Sequence, residues 1–198
     1  KDMKNLKIIC ITPVKHLKGV FEEMQKHGDV LYEPEITKLA LAKLLKKDKG
    51  INSIFTNPNK QNYKLDKEIL ENSGITLINT ASTGMNHIDV KYCEQKGIKI
   101  FSLTKDMELI NNLPSTAELA FGLMLSLLRQ IPQSFDSVKA GEWDYEKFMG
   151  RQVAGLTAGI IGYGRLGKFM ARYCHAFGMR VLICDPFKTS SEFENVSL

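Results

Sequence analysis

Residues 159–168 read GIIGYGRLGK, an apolar strand-like run entering three glycines, Gly162, Gly164 and Gly167, spaced G-x-G-x-x-G. Alone the pattern is weak, because glycines at a strand-to-helix turn need bind nothing. Its surroundings decide the reading. LTAGII before it has the small and branched residues of a buried strand, and RLGKFMARYCHAFG after it has helical periodicity closed by Gly178. RVLIC then supplies a second strand ending in Asp185, near the roughly 20-residue offset at which an acid meets a ribose in dinucleotide folds. Strand, glycine turn, helix, strand and acid together describe the opening of a Rossmann-type unit.

Each position has a physical reason. Gly162 permits the tight turn out of the strand, Gly164 lets a pyrophosphate approach the backbone, and Gly167 allows the helix to pack closely on the sheet. The N–H groups near Arg165 and Leu166, at the positive end of the helix, would stabilise the phosphate charge. Asp185 would accept from the adenosine ribose hydroxyls and repel a 2′-phosphate, which favours NAD over NADP, although Lys188 lies close in sequence.

Upstream, strand-like and helical runs alternate. LKIICIT (6–12), DVLYE, NSIFT (52–56), ITLINT (75–80) and IKIFSL (98–103) read as strands. FEEMQKHG (21–28), ITKLALAKLLKK, LDKEILENSG and IDVKYCEQKG read as the helices between them. This order predicts an α/β chain whose first domain, 1–103, is a flavodoxin-like parallel sheet. The second domain, 104–198, is an incomplete Rossmann-type unit. A polar connector, LTKDMELINNLP, leads into STAELAFGLMLSLLRQI (115–131), where Ser115 and Glu118 fit an S-x-x-E capping box. That helix is apolar almost all round, so burial on more than one side is expected, either in the chain's own core or at a subunit or domain interface.

Composition narrows the class. The chain of 198 residues is 43% hydrophobic and 25% charged, the range of an ordinary globular protein. Its richest apolar stretch, LAFGLMLSLLR (119–129), is too short for about 30 Å of hydrocarbon, so no membrane partner is expected. No signal peptide is visible, and Met3 is a candidate native start. The four cysteines form neither C-x-x-C nor zinc-like spacing, which predicts a reduced, cytoplasmic setting and no metal site. The net charge of +5 is spread over helices such as KLLKKDKG (43–50) without interleaved aromatics, a solvated face instead of a nucleic-acid surface.

Three stretches, NTASTGMNHIDV (79–90), LPSTAELAFGLMLSLLRQI (113–131) and GLTAGIIGYGRLGKFMARYCHAFGMRVLICDPF (155–187), resemble the D-isomer-specific 2-hydroxyacid dehydrogenase family. The third is the most specific, with D-P-F after its second strand. The resemblance implies a substrate domain with a nucleotide domain inserted into it and an active site between them. It also implies NAD-dependent hydride transfer at C2 of a small 2-hydroxy or 2-keto acid. By the same resemblance the loop Ser82-Thr83-Gly84-Met85 binds the substrate carboxylate through backbone N–H groups, and Thr116 faces the cofactor phosphates or serves only the helix cap. His87, although near Asp89, is not the catalytic histidine, because that place in the family carries structural or capping residues. The family's catalytic arginine, glutamate and histidine follow the third strand of the nucleotide domain, whereas this chain ends at EFENVSL after the second. The expectation is a fragment without dehydrogenase activity of its own, forming a homodimer through helix 115–131. An NAD-sensing or oligomerising protein on the same fold is the alternative. An S-adenosylmethionine-dependent methyltransferase fits less well, because its domain opens near the glycine loop.

Overall fold

The computed structural model describes residues 6–59, 62–188 and 191–195, so Met3 and the last three residues lie outside the described residues. The chain forms two compact units, Lys1–Ile110 and Asn111–Leu198. The change of rhythm at Leu103 thus precedes the division by several residues. Residues 103–110 form a 3-10 turn and a short helix whose Ile110 is buried.

The first unit is a five-stranded sheet of β1 (Leu6–Cys10), β2 (Gly28–Tyr32), β3 (Ser53–Thr56), β4 (Leu77–Thr80) and β5 (Lys99–Ser102). Its spatial order is β2-β1-β3-β4-β5 and every pairing is parallel. This is the flavodoxin-like order. Helices α1 (Val20–His27), α2 (Lys38–Lys47), α3 (Lys67–Leu70) and α4 (Val90–Lys96) connect the strands. The unbroken apolar run of β1 follows from burial on both faces. Ile9 joins a large core with Leu41, Leu45, Ile54, Ile69 and Ile78, while Ile8 and Cys10 join a smaller one with Val14 and Met24.

Helix α3 is shorter than LDKEILENSG suggests. Asp66 accepts from the Glu68 N–H at its start, but Glu71 is already extended and Asn72 turns left-handed with φ 58°. Ser73 then donates to the Leu70 carbonyl at 2.7 Å, closing the stop.

The second unit carries α5 (Met107–Asn111) at its border, then α6 (Ser115–Leu128), α7 (Ile131–Lys139), β6 (Thr157–Ile161), α8 (Arg165–Ala176), β7 (Arg180–Cys184) and β8 (Glu194–Asn195). The sheet order is β6-β7-β8, all parallel. The chain therefore does not stop at two strands. Arg180 of β7 donates to the Glu194 carboxylate of β8 at 2.7 and 2.9 Å, and Phe193 packs on the core.

One expectation for α6 fails. The capping box does not form, because Pro114 is already helical at φ −85° and ψ −14° and no side chain caps the end. Ser115 thereby falls inside the first turn, past the position where its hydroxyl could cap. The helix is not buried on several sides within the chain. Ala117 and Phe121 pack inward, Phe121 against Tyr173 and Phe177 at 5.7 and 4.8 Å, while Leu119, Leu123 and Leu127 are 61–76% exposed. Helical periodicity gives these leucines a stripe separate from the side of the helix that packs on the core.

Ile54 is fully buried in the central strand β3. Ile54→Ala should lower the unfolding free energy by about 2–5 kcal/mol. Leu39→Ala, at a side chain 62% exposed, should shift it by less than about 0.5 kcal/mol. Chemical denaturation of both variants checks the contrast.

Candidate functional site

The glycine loop adopts the geometry its sequence demands. Gly162 turns the chain out of β6 at φ +94°, a left-handed conformation that favours glycine. A Cβ on Gly167 would collide with the Gly162 carbonyl oxygen, so this glycine lets α8 start directly against the strand end. Gly164 differs: its backbone is extended, and a Cβ there would meet nothing within 4 Å. The space above Gly164 is open.

The loop's N–H groups divide into two sets. Gly162 donates to the Cys184 carbonyl at 2.8 Å, and Tyr163 donates to Asp185 Oδ2 at 2.6 Å. The N–H groups of Gly164, Arg165 and Leu166 have no acceptor among the described residues, because they form the first turn of α8 and no side chain caps it. This is the anion-binding end of a helix, beside open space. A dinucleotide pyrophosphate fits these residues, with free donors on one side and no side chain above Gly164.

Asp185 does more than the sequence reading assigns to it. Its Oδ1 accepts from the Phe187 N–H at 2.8 Å while Oδ2 holds Tyr163. These two backbone donors keep its carboxyl below the usual carboxylate range. The charged group thus ties the end of β7 to the glycine loop, and each oxygen retains a lone pair for a further donor.

Sequence reasoning missed a basic cavity on a second face of α8. It has a volume of about 390 Å³ and is lined by Tyr163, Arg165, Lys168, Phe169, Arg172 and Lys188 among others. The signal was the helical spacing of Arg165, Lys168 and Arg172. Arg165 also donates to the Leu113 carbonyl at 2.7 Å, linking the segment before α6 to the glycine loop. Thr116, in the first turn of α6, is exposed in this same unit.

In the first unit, Ser82, Thr83 and Gly84 follow the carboxyl end of β4. Thr83 and Gly84 are exposed, and their N–H groups find no acceptor among the described residues. The loop is anchored beneath. Leu103 N–H donates to the Ser82 carbonyl at 3.1 Å, and the Asn57 amide donates to the Ala81 carbonyl at 3.1 Å. His87 is 8% exposed, and its Nε2 lies 2.9 Å from Thr80 Oγ1. Asp89 accepts from the Tyr92 N–H and caps α4, so it does not pair with His87 as an acid–base couple. Among the described residues no group of three His, Cys, Asp or Glu could hold a metal. No described helix is long and apolar enough to cross a membrane.

Residues 121–198 match the sequence model for D-isomer specific 2-hydroxyacid dehydrogenase, NAD binding domain. The chain is 31% identical over 183 residues to a D-3-phosphoglycerate dehydrogenase of Methanocaldococcus jannaschii, covering 92% of this chain and 32% of the relative. The chain belongs to the D-isomer-specific 2-hydroxyacid dehydrogenase family. A second D-3-phosphoglycerate dehydrogenase, from Archaeoglobus fulgidus, is 38% identical over 136 residues, 68% of this chain and 25% of that one. The chain thus spans between a quarter and a third of the length of these two curated relatives of the family. A solved glyoxylate reductase from Paecilomyes thermophila aligns with a TM-score of 0.78 at 25% identity, over 98% of this chain and 60% of that chain. Residues 121–198 of the second unit are thus NAD-binding-domain sequence of this family.

Burial holds the His87 imidazole below its ordinary value of 6.5. The folded state disfavours the charged ring, so this contribution to stability is complete above pH 6.5 and is lost as pH falls through the lowered value. His87→Gln should flatten that part of the acid-side loss. Thermal melts at stepped pH read the difference.

Proposed function

We propose that the protein works as an NAD-dependent oxidoreductase of the D-2-hydroxyacid dehydrogenase type, with hydride transfer at C2 of a small 2-hydroxy or 2-keto acid. The observation that carries this reading is the trio of unpaired N–H groups at Gly164, Arg165 and Leu166 beside open space. In it, Gly162 and Gly167 shape the turn, the Gly164–Leu166 donors hold the pyrophosphate, and Thr116 contributes its hydroxyl to the phosphates. Asp185 accepts from the adenosine ribose. Its charge disfavours a 2′-phosphate, while Lys168, Arg172 and Lys188 make the neighbouring cavity attractive to anions. When bound, the nicotinamide supplies or receives the hydride.

The substrate carboxylate is held by the loop Ser82, Thr83 and Gly84, whose exposed N–H groups suit an anion. No residue of the chain is assigned the proton transfer that accompanies hydride movement. The two proposed domains are the first, substrate-binding unit and the second, nucleotide-binding unit. The cysteines, free and mostly buried, accord with a cytoplasmic setting.

A homodimer through helix 115–131 belongs to the same reading, and the exposed Leu119, Leu123 and Leu127 support it. An apolar stripe of this kind on a helix suits a partner's matching stripe. The same stripe favours a second reading, an NAD-sensing or oligomerising protein on this fold. NAD binding without turnover of any 2-keto acid in the intact protein would select the second.

Calorimetric titration with NAD tests the cofactor site. Gly164→Val should abolish binding while leaving the melting temperature unchanged, because its side chain enters space that is empty of protein atoms. Asp185→Ala should weaken NAD by about tenfold or more, the loss of hydrogen bonds to a charged group. Equal NAD affinity in both variants would sink the assignment. Leu123→Glu should convert a dimer to a monomer in sedimentation velocity, and an unchanged sedimentation coefficient would remove helix 115–131 from the interface.

A further inference from the structure

Beneath the proposed carboxylate loop lies a file of side chains that the function above does not use. His87 Nε2 is 2.9 Å from Thr80 Oγ1, Thr80 Oγ1 is 2.9 Å from Ser82 Oγ, and Ser82 Oγ is 2.7 Å from the Gly84 carbonyl oxygen. The far end fixes the direction of every bond. A carbonyl oxygen only accepts, so the Ser82 hydroxyl gives its single proton to Gly84. Ser82 Oγ can then only accept from Thr80, whose single proton goes there. Thr80 in turn can only accept from His87. The imidazole must therefore carry its proton on Nε2.

The other ring nitrogen gives an independent check. His87 Nδ1 is buried and has no partner among the described residues. A proton on that atom would strand a donor, and a second proton would bury a charge, each costly away from water. A bare lone pair on Nδ1 is the remaining state. The backbone that carries the ring is pinned, since the His87 carbonyl accepts the Leu65 N–H at 2.8 Å and Asp89 N–H returns to the Leu65 carbonyl at 2.9 Å.

We infer that His87 is a positioning residue, a neutral Nε2–H tautomer that starts a one-way chain of hydrogen bonds ending on the Gly84 carbonyl. In a trans peptide the carbonyl and the following N–H point in opposite directions. Holding the Gly84 oxygen against Ser82 therefore turns the Met85 N–H away from it, into the set of donors the loop offers. Gly84 is where such a hold is useful, since it has no side chain and nothing lies within 4 Å of where its Cβ would be to pack against the peptide. This deepens, and rests on, the reading of Ser82–Met85 as the carboxylate loop.

The test is nitrogen-detected NMR of the full chain with labelled histidine, joined to titration with pyruvate. His87 should show a proton on Nε2 and an unprotonated Nδ1. His87→Leu should shift the Thr83, Gly84 and Met85 amide resonances and weaken pyruvate by about tenfold, the scale of one lost hydrogen bond. His87→Gln, whose amide can still donate to Thr80, should restore both. Ser82→Ala breaks the chain outside the core and should reproduce the shifts if His87→Leu fails to fold. A proton on Nδ1, or unmoved loop amides in both His87→Leu and Ser82→Ala, overturns the inference. Expected tautomer and amide shifts without any pyruvate binding by the unaltered chain would retain the positioning chain and discard the carboxylate reading.

Discussion

The candidate anion-holding loops of this protein sit where a parallel strand hands its carboxyl end to the next segment. The constraint is the parallel pairing itself. Parallel strands need a crossover between them, and the right-handed crossover brings each helix start back beside a strand end. Unpaired N–H groups of helix starts and turns therefore collect at one edge of each sheet. Ser82, Thr83 and Gly84 follow β4, Gly162 and Gly164 follow β6, and Asp185 follows β7. Two anion-friendly loops come from one topological rule applied in two separate sheets.

Such loops are useful only if their donors are aimed. In the second unit the aiming is electrostatic: the Asp185 carboxylate takes the Tyr163 and Phe187 N–H groups and leaves those of Gly164, Arg165 and Leu166 unpaired. In the first unit it is a neutral file from His87 to Gly84. Both devices use buried or half-buried polar groups whose partners are already satisfied, which is what keeps a loop in one arrangement before a ligand arrives. The cost is carried by single atoms such as His87 Nδ1.

Local chemistry was readable where a residue's own stereochemistry decides the outcome. The glycines at 162 and 167, the helix stop at Gly178 and the alternation of the first five strands are of that kind. Reading failed where a neighbour decides. Ser115 and Glu118 have capping-box spacing, yet Pro114 enters the helix first and shifts the register. LDKEILENSG has helical pattern, yet Asn72 turns left-handed and shortens it. The strand at Glu194–Asn195 was invisible because two residues have no periodicity, and it exists through pairing with β7 and the Arg180–Glu194 contact.

By itself the sequence determined the class of both sheets, the glycine turn, and the family through the stretches from Asn79 to Phe187. Those features are written in backbone freedom and hydrophobic period, which belong to neighbouring residues along the chain. Only the tertiary structure decided that the α6 leucines stay exposed, that Asp185 ties β7 to the glycine loop, and that His87 reaches Gly84 through Thr80 and Ser82. Hydrogen bonds and burial of this sort depend on which side chains meet across space. The direction of a proton file has no trace in residue spacing; it follows from which atom stands at its end.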